Sequence, residues 1–317
     1  SSAISDYTNC INLNPNDPDA YYNRGWTKAI LDDYSGAISD YTKSIELDPE
    51  NSSAYYGRGL AKANLDDYSG AISDYTECID LDPKNSDVYY SRGWVKANLE
   101  DYSGAISDYT KCIDLDPENS DVYFSRGWVN AKLEDYIGAI TDYTRYINSN
   151  SNDPNAYFNR GLTKANLDDY SGAISDYTKS IELDPENSGA YYNRGWTKAN
   201  LEDYSGAISD YTKCIDLDPE NSDVYFSRGW VNAKLEDYIG AITDYTRYIN
   251  SNSNDPNAYF NRGLTKANLD DYSGAISDYT KSIELDPENS GAYYNRGWTK
   301  ANLEDYSGAI SDYTKNI

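Results

Sequence analysis

The sequence has no histidine and no methionine, and only four cysteines and four phenylalanines, in 317 residues. Histidine is the side chain whose free pKa best suits proton transfer near neutrality, so general acid–base catalysis lacks its commonest agent. No Gly-rich phosphate loop occurs, and the serines of the recurrent Gly-Ala-Ile-Ser segments sit in helical sequence, not on a strained strand-to-helix elbow. Every apparent acid pair recurs along the chain, which marks scaffold and not an active site. A non-enzymatic role with no cofactor is expected. Lys and Arg, 27 against 53 acidic residues, nowhere cluster, so a nucleic-acid partner is not expected. No run approaches the roughly 18 apolar residues of a membrane helix, so no membrane insertion is expected.

Two further absences bear on metals. There is no Cys-x-x-Cys pair, and Cys10, Cys78, Cys112 and Cys214 share one repeat position where Ser44, Ser180 and Ser282 stand elsewhere, so they are expected to be inert thiols at a small buried core site. The segment from Asp114 to Asp121 alternates carboxylates like a calcium loop but lacks the sixth-position glycine and the closing glutamate, and is expected to be an ordinary helix-capping turn. No metal site is expected.

What is abundant is tyrosine, at 35 residues, and net negative charge, at −26, spread evenly along the chain. Solubility is the simplest account of the charge, with basic proteins or divalent cations as alternatives. The tyrosines recur in step. The pattern Ala/Val-Tyr-Tyr/Phe-x-Arg-Gly begins at Ala20, Ala54, Val88, Val122, Ala156, Ala190, Val224, Ala258 and Ala292, each 34 residues after the last. In one unit the spacing predicts a first helix through AYYGRGLAKANL and a second through SGAISDYTECIDL, with Asp66 and Asp67 at the turn. Ala71, Tyr75, Cys78 and Ile79 form an apolar stripe on the second helix, and the first carries apolar bulk on two neighbouring faces. A lone hairpin covers only one of them, so hairpins must stack. Asp-Pro pairs such as Asp82–Pro83 are expected to stop the second helix.

These residues resemble the tetratricopeptide repeat family over the whole chain. Gly59 and Ala71 match its small helix-contact positions, Tyr68 and Tyr75 its aromatics, and Pro83 its terminal proline. The resemblance implies one all-α, right-handed superhelical solenoid over residues 1–317, of about nine repeats plus a terminal helix, with no separate domains. First helices would line a concave groove. The aromatic positions Tyr22, Tyr56, Tyr90, Phe124, Phe158, Tyr192, Phe226, Phe260 and Tyr294 would then face it, beside Trp26, Trp94, Trp128, Trp196, Trp230 and Trp298. Such a surface could hold an extended peptide or a glycan, or its rings could simply pack on adjacent first helices. The basic set with which the family grips a terminal carboxylate is not reproduced.

Arg24, Arg58, Arg92, Arg126, Arg160, Arg194, Arg228, Arg262 and Arg296 occupy a position that is often leucine in that family. Asp40, Asp74 and Asp108 recur at the same period, so a structural Arg–Asp ladder is predicted, because a buried guanidinium needs a paired acid.

A longer period overlies the first. The residue after Arg-Gly alternates Trp and Leu with a three-unit, 102-residue period, and Lys96 to Lys213 recurs unchanged as Lys198 to Lys315. Two junctions, around Tyr146 and Tyr248, replace a small residue by tyrosine and carry a later proline, Pro154 or Pro256, where a local change in packing is expected. Two functions remain open at this stage. One is a scaffold for a protein or peptide partner. The other is a segment of a long or end-to-end self-associating solenoid, favoured by near-identical units and by a chain that starts and stops inside the pattern. The second would place it outside the cell or on its surface, the first in the cytoplasm, and nothing in the sequence decides.

Overall fold

The computed structural model describes residues 2–315. Tertiary contacts divide the chain into two units, Ser1–Asn152 and Asp153–Ile317. Among the described residues there are 19 α-helices and no strand. The first unit holds α1 (Ser2–Leu13) and four hairpins: α2 (Pro18–Ile30) with α3 (Tyr34–Leu47), α4 (Ser52–Ala63) with α5 (Tyr68–Leu81), α6 (Ser86–Asn98) with α7 (Tyr102–Leu115), and α8 (Ser120–Lys132) with α9 (Tyr136–Ser149). The second unit holds five hairpins. They are α10 (Pro154–Asn166) with α11 (Tyr170–Leu183), α12 (Ser188–Asn200) with α13 (Tyr204–Leu217), α14 (Ser222–Lys234) with α15 (Tyr238–Ser251), α16 (Pro256–Asn268) with α17 (Tyr272–Leu285), and α18 (Ser290–Asn302) with α19 (Tyr306–Lys315). Inside each unit a hairpin's second helix packs on the first helix of the next hairpin, so the units are stacks.

The turn inside each hairpin is built by two acids. The first, Asp66 in the α4–α5 turn, adopts a left-handed backbone at φ 59°, and each of the nine hairpins repeats this with Asp or Glu. L-residues other than Gly, Asn and Asp rarely sit there, at a cost of about 1–2 kcal/mol. The second acid, Asp67, caps α5 by accepting from the Gly70 amide at 3.0 Å. Gly70 is required for this closeness, since a Cβ there would collide with the Asp67 carboxylate. Most first helices are capped by an Asn or Asp side chain, as where Asn51 accepts from the Ala54 amide at 3.1 Å, whereas Asn119 and Asn221 precede α8 and α14 without such a bond. Pro154 and Pro256, like Pro18 at the start of α2, do not end a helix: they open α10 and α16 behind the caps Asp153 and Asp255. Proline suits the first helical position because its missing N–H had no partner there anyway.

The stripe on the second helix is the core: Ala71, Tyr75, Cys78 and Ile79 are all buried, with Ala105, Tyr109 and Cys112 repeating it one unit on. The cysteine position is the small buried site expected for Cys78, Cys112 and Cys214, and burial pushes each of these thiols up to about 11. Cys10 is the exception and is exposed. Among the described residues the helix that carries it, α1, packs on α2 alone, whereas α5 has both α4 and α6 around it.

Candidate binding grooves

Inside each unit the repeated arginines are held from two directions. In the α4–α5 hairpin the Arg58 guanidinium donates Nε and Nη2 to the two oxygens of Asp74, at 2.9 and 2.7 Å, in the fork geometry that guanidinium and carboxylate share. Its remaining nitrogen, Nη1, donates to Thr42 Oγ1 of the preceding hairpin at 3.1 Å. The same bidentate pair joins Arg24 to Asp40, Arg92 to Asp108, Arg126 to Asp142, Arg160 to Asp176, Arg194 to Asp210, Arg228 to Asp244, Arg262 to Asp278 and Arg296 to Asp312. The guanidinium also lies over a tyrosine three residues earlier, as Arg58 does over Tyr55 at 5.6 Å.

The sequence analysis missed a third member. Lys62 Nζ lies 2.8 Å from Asp74, so the carboxylate meets two cations. Its signal was a lysine four residues after each arginine, in seven of nine units. In the other two, Asn130 and Asn232 stand there and donate to Asp142 and Asp244 at 3.0 Å. The lysine of those repeats has moved two residues on, to Lys132 and Lys234, where its ammonium sits 5.2 and 5.1 Å from the centres of the Trp128 and Trp230 rings. For Asp312, burial pushes the carboxyl up, but hydrogen bonds and charge from Arg296 and Lys300 outweigh it and hold it below the usual aspartate range.

The first-helix aromatics are half-buried, except Tyr294, which is exposed. They rest on the core tyrosine of their own hairpin, Tyr22 on Tyr41 at 5.7 Å, Tyr56 on Tyr75 and Tyr90 on Tyr109 at 5.9 Å, Phe158 on Tyr177 and Phe260 on Tyr279 at 6.0 Å, and several also reach the next first helix, as where the Tyr56 and Tyr90 hydroxyls lie 3.2 and 3.3 Å from Ser91 and Ser125 Oγ. At the two divergent junctions an extra ring joins: Tyr146 packs on Phe124 and Tyr248 on Phe226, both at 5.1 Å between ring centres. The six tryptophans are exposed, from 38% at Trp128 and Trp230 to 55% at Trp26.

Between successive first helices these rows leave grooves. In the first unit one of about 400 Å³ runs between Trp94 and Trp128, with Tyr109 and Phe124 beneath and Asn98, Glu100, Tyr102 and Ser125 around it. The counterpart in the second unit, about 260 Å³, lies between Trp196 and Trp230 over Tyr211 and Phe226. Their walls are braced edge-on, Tyr102 against Trp128 at 6.2 Å and Tyr204 against Trp230 at 6.1 Å. Two further grooves in the first unit, of about 260 and 370 Å³, are lined by a leucine, Leu60.

Three profiles of the tetratricopeptide repeat match the chain: one at residues 18–51, 154–187, 188–221 and 256–289, a second at 52–85 and 86–119, and a third at 278–311. Together they span more than half of it. The chain belongs to the tetratricopeptide repeat family. Among curated proteins, none matches the sequence. Among solved structures it is similar to YrrB, described as a tetratricopeptide protein with an unusual peptide-binding site, at 29% identity and a TM-score of 0.55 over 58% of this chain and 95% of YrrB. It is similar to the MamA protein at 26% identity and TM-score 0.50, over 51% of this chain and 89% of MamA. A tetratricopeptide repeat protein from Parabacteroides merdae shares the fold at 17% identity, TM-score 0.57, over 82% of this chain and 98% of its own. This tetratricopeptide chain thus presents aromatic grooves on a scaffold held by Arg–Asp–Lys contacts.

Proposed function

We propose that this tetratricopeptide chain is a non-enzymatic scaffold that takes extended peptide segments of partner proteins into the grooves between its first helices. The observation that carries the reading is the Trp94–Trp128 groove, in which exposed rings stand over a buried tyrosine beside amide and hydroxyl groups. Rigid aromatic walls bury much area with little loss of conformational freedom, and a few polar groups fix orientation. Similarity to YrrB, whose description names a peptide-binding site, supports it. The test is selection from a displayed random-peptide library on the intact chain, repeated on the chain carrying Trp94→Leu and Trp196→Leu. Leucine is the residue that Leu60 already places at this position, so folding is retained. Enriched peptides that no longer bind the substituted chain support the scaffold; a library yielding no peptide, or peptides indifferent to both changes, rejects it.

A second reading, a segment of units joined end to end into a fibre, draws on the recurrence of Lys96 to Lys213 as Lys198 to Lys315. Electron imaging at low concentration decides it: filaments of indefinite length support the fibre, particles of one defined length oppose it.

A further inference from the structure

We infer that the two Trp–Trp grooves are cages for a cationic side chain, lysine or arginine, of an extended basic segment in the partner protein; this rests on the reading of the grooves as the binding surface. Aromatic rings attract cations through the negative potential of their faces, and an adjacent carboxylate adds direct charge complementarity. The groove between Trp94 and Trp128 offers both, with rings from Tyr102 and Phe124 and the carboxylate of Glu100 at its rim.

The freedom of Glu100 is specific to this kind of turn. At the corresponding position in the neighbouring hairpin Asp66 accepts a hydrogen bond from the Tyr68 hydroxyl at 3.0 Å, and Asp32, Asp168 and Asp270 are engaged in the same way. Glu100 is one methylene longer and closes no such bond with Tyr102, so its carboxylate has no partner in the structure and remains exposed. None of the other three aromatic grooves has an acid in its lining. In the second unit Glu202 takes the same turn position as Glu100, at φ 60° against 61°, two residues after Asn200 of the Trp196–Trp230 groove. The rings already show the preference: Lys132 and Lys234 place ammonium groups over Trp128 and Trp230. A chain of net charge −26 also draws basic segments from a distance.

The experiment is calorimetric titration of the full chain with a synthetic peptide of Gly, Ser and Arg, and with the same peptide carrying norleucine or Glu in place of Arg. The arginine peptide is expected to bind and the glutamate peptide not to. The pair Glu100→Gln with Glu202→Gln, and separately Trp94→Leu with Trp196→Leu, should each weaken binding by roughly tenfold with the helical circular-dichroism signal unchanged. Lys132→Asn with Lys234→Asn, giving the residue most other repeats carry there, should tighten it by removing a competing charge. Arginine-peptide binding that ignores the tryptophan changes is attraction to overall charge and overturns the cage. A norleucine peptide that binds as well as the arginine one, and loses binding with the tryptophans, also overturns it while leaving the peptide scaffold intact. Failure of all three peptides overturns the cage, and the scaffold falls with it only if the peptide library also returns nothing.

Discussion

Gly59 lies against the ring of Tyr75 so closely that a Cβ on it would fall 2.6 Å from Cε1. Tyr75 is 1% exposed and has nowhere to retreat. Gly59→Ala should therefore destabilise its hairpin by about 1–2 kcal/mol, the overpacking cost less the better helix propensity of alanine. Hydrogen exchange is the measurement, because a stacked array opens repeat by repeat: amides of α4 and α5 should lose protection while those of α16 and α17 keep theirs. Unchanged protection in α4 and α5 would mean that the ring is free to move.

The Arg–Asp–Lys cluster predicts losses of unequal size for its acid and its lysine. Asp74→Ala leaves the Arg58 and Lys62 charges facing each other without the acid, and should cost about 3 kcal/mol, the low end for breaking a buried pair because Arg58 is 17% exposed. Lys96→Asn should cost less than about 1 kcal/mol, since Asn130 fills that role beside Asp142 in the next hairpin. Urea unfolding of both variants checks the ordering, and equal losses would contradict it.

Ser44 and Ser180 bury hydroxyls that have no hydrogen-bond partner. An unsatisfied buried hydroxyl costs about 1–3 kcal/mol, and Cys78, Cys112 and Cys214 show that a thiol fits the same site. Ser180→Cys should raise stability by about 1 kcal/mol. Ser282→Cys should gain less, because Asn289 donates to that hydroxyl at 3.4 Å. Thermal melts of the two variants, made under reducing conditions, compare them directly.

Alkali should unfold the chain through its tyrosines. Burial raises the phenols of the core row, Tyr75 among them, well above the usual value of 10, and Tyr248 is pushed up to about 12 by burial and by its hydrogen bond to Asp255. Their folded pKa lies above the unfolded one, so the stability they contribute is complete below pH 10 and is lost as pH rises towards and through the folded values. Titration followed by phenolate absorbance should show a steep step above pH 10 that coincides with loss of helical signal. Smooth ionisation of all tyrosines near pH 10 with the helices intact would refute it.

The stack of helical hairpins was legible from the 34-residue spacing of Tyr/Phe-x-Arg-Gly and the stripe Ala71, Tyr75, Cys78 and Ile79, because helix periodicity and the need to cover two apolar faces are local properties of the chain. The recurrence of Asp at a fixed distance from Arg likewise pointed to the pairs. The candidate site was legible only as rows of aromatic positions. Glu100 carried no signal, since it reads as one more acid in a turn; its freedom depends on a methylene that breaks the bond to Tyr102.

Equivalent repeat positions also met different surroundings. Cys10 and Cys78 occupy the same repeat position, yet one is exposed and the other buried. The sequence by itself determined the helices, their caps, the hairpin period and the residues each helix offers, all interactions between positions close in the chain. Tertiary structure alone decided which tyrosines rest on which, where Lys62 finds Asp74, and that Trp94 and Trp128 stand apart as the walls of one groove. Those relations join residues from different helices, and burial, charge pairing and an open cavity exist only once the hairpins have stacked.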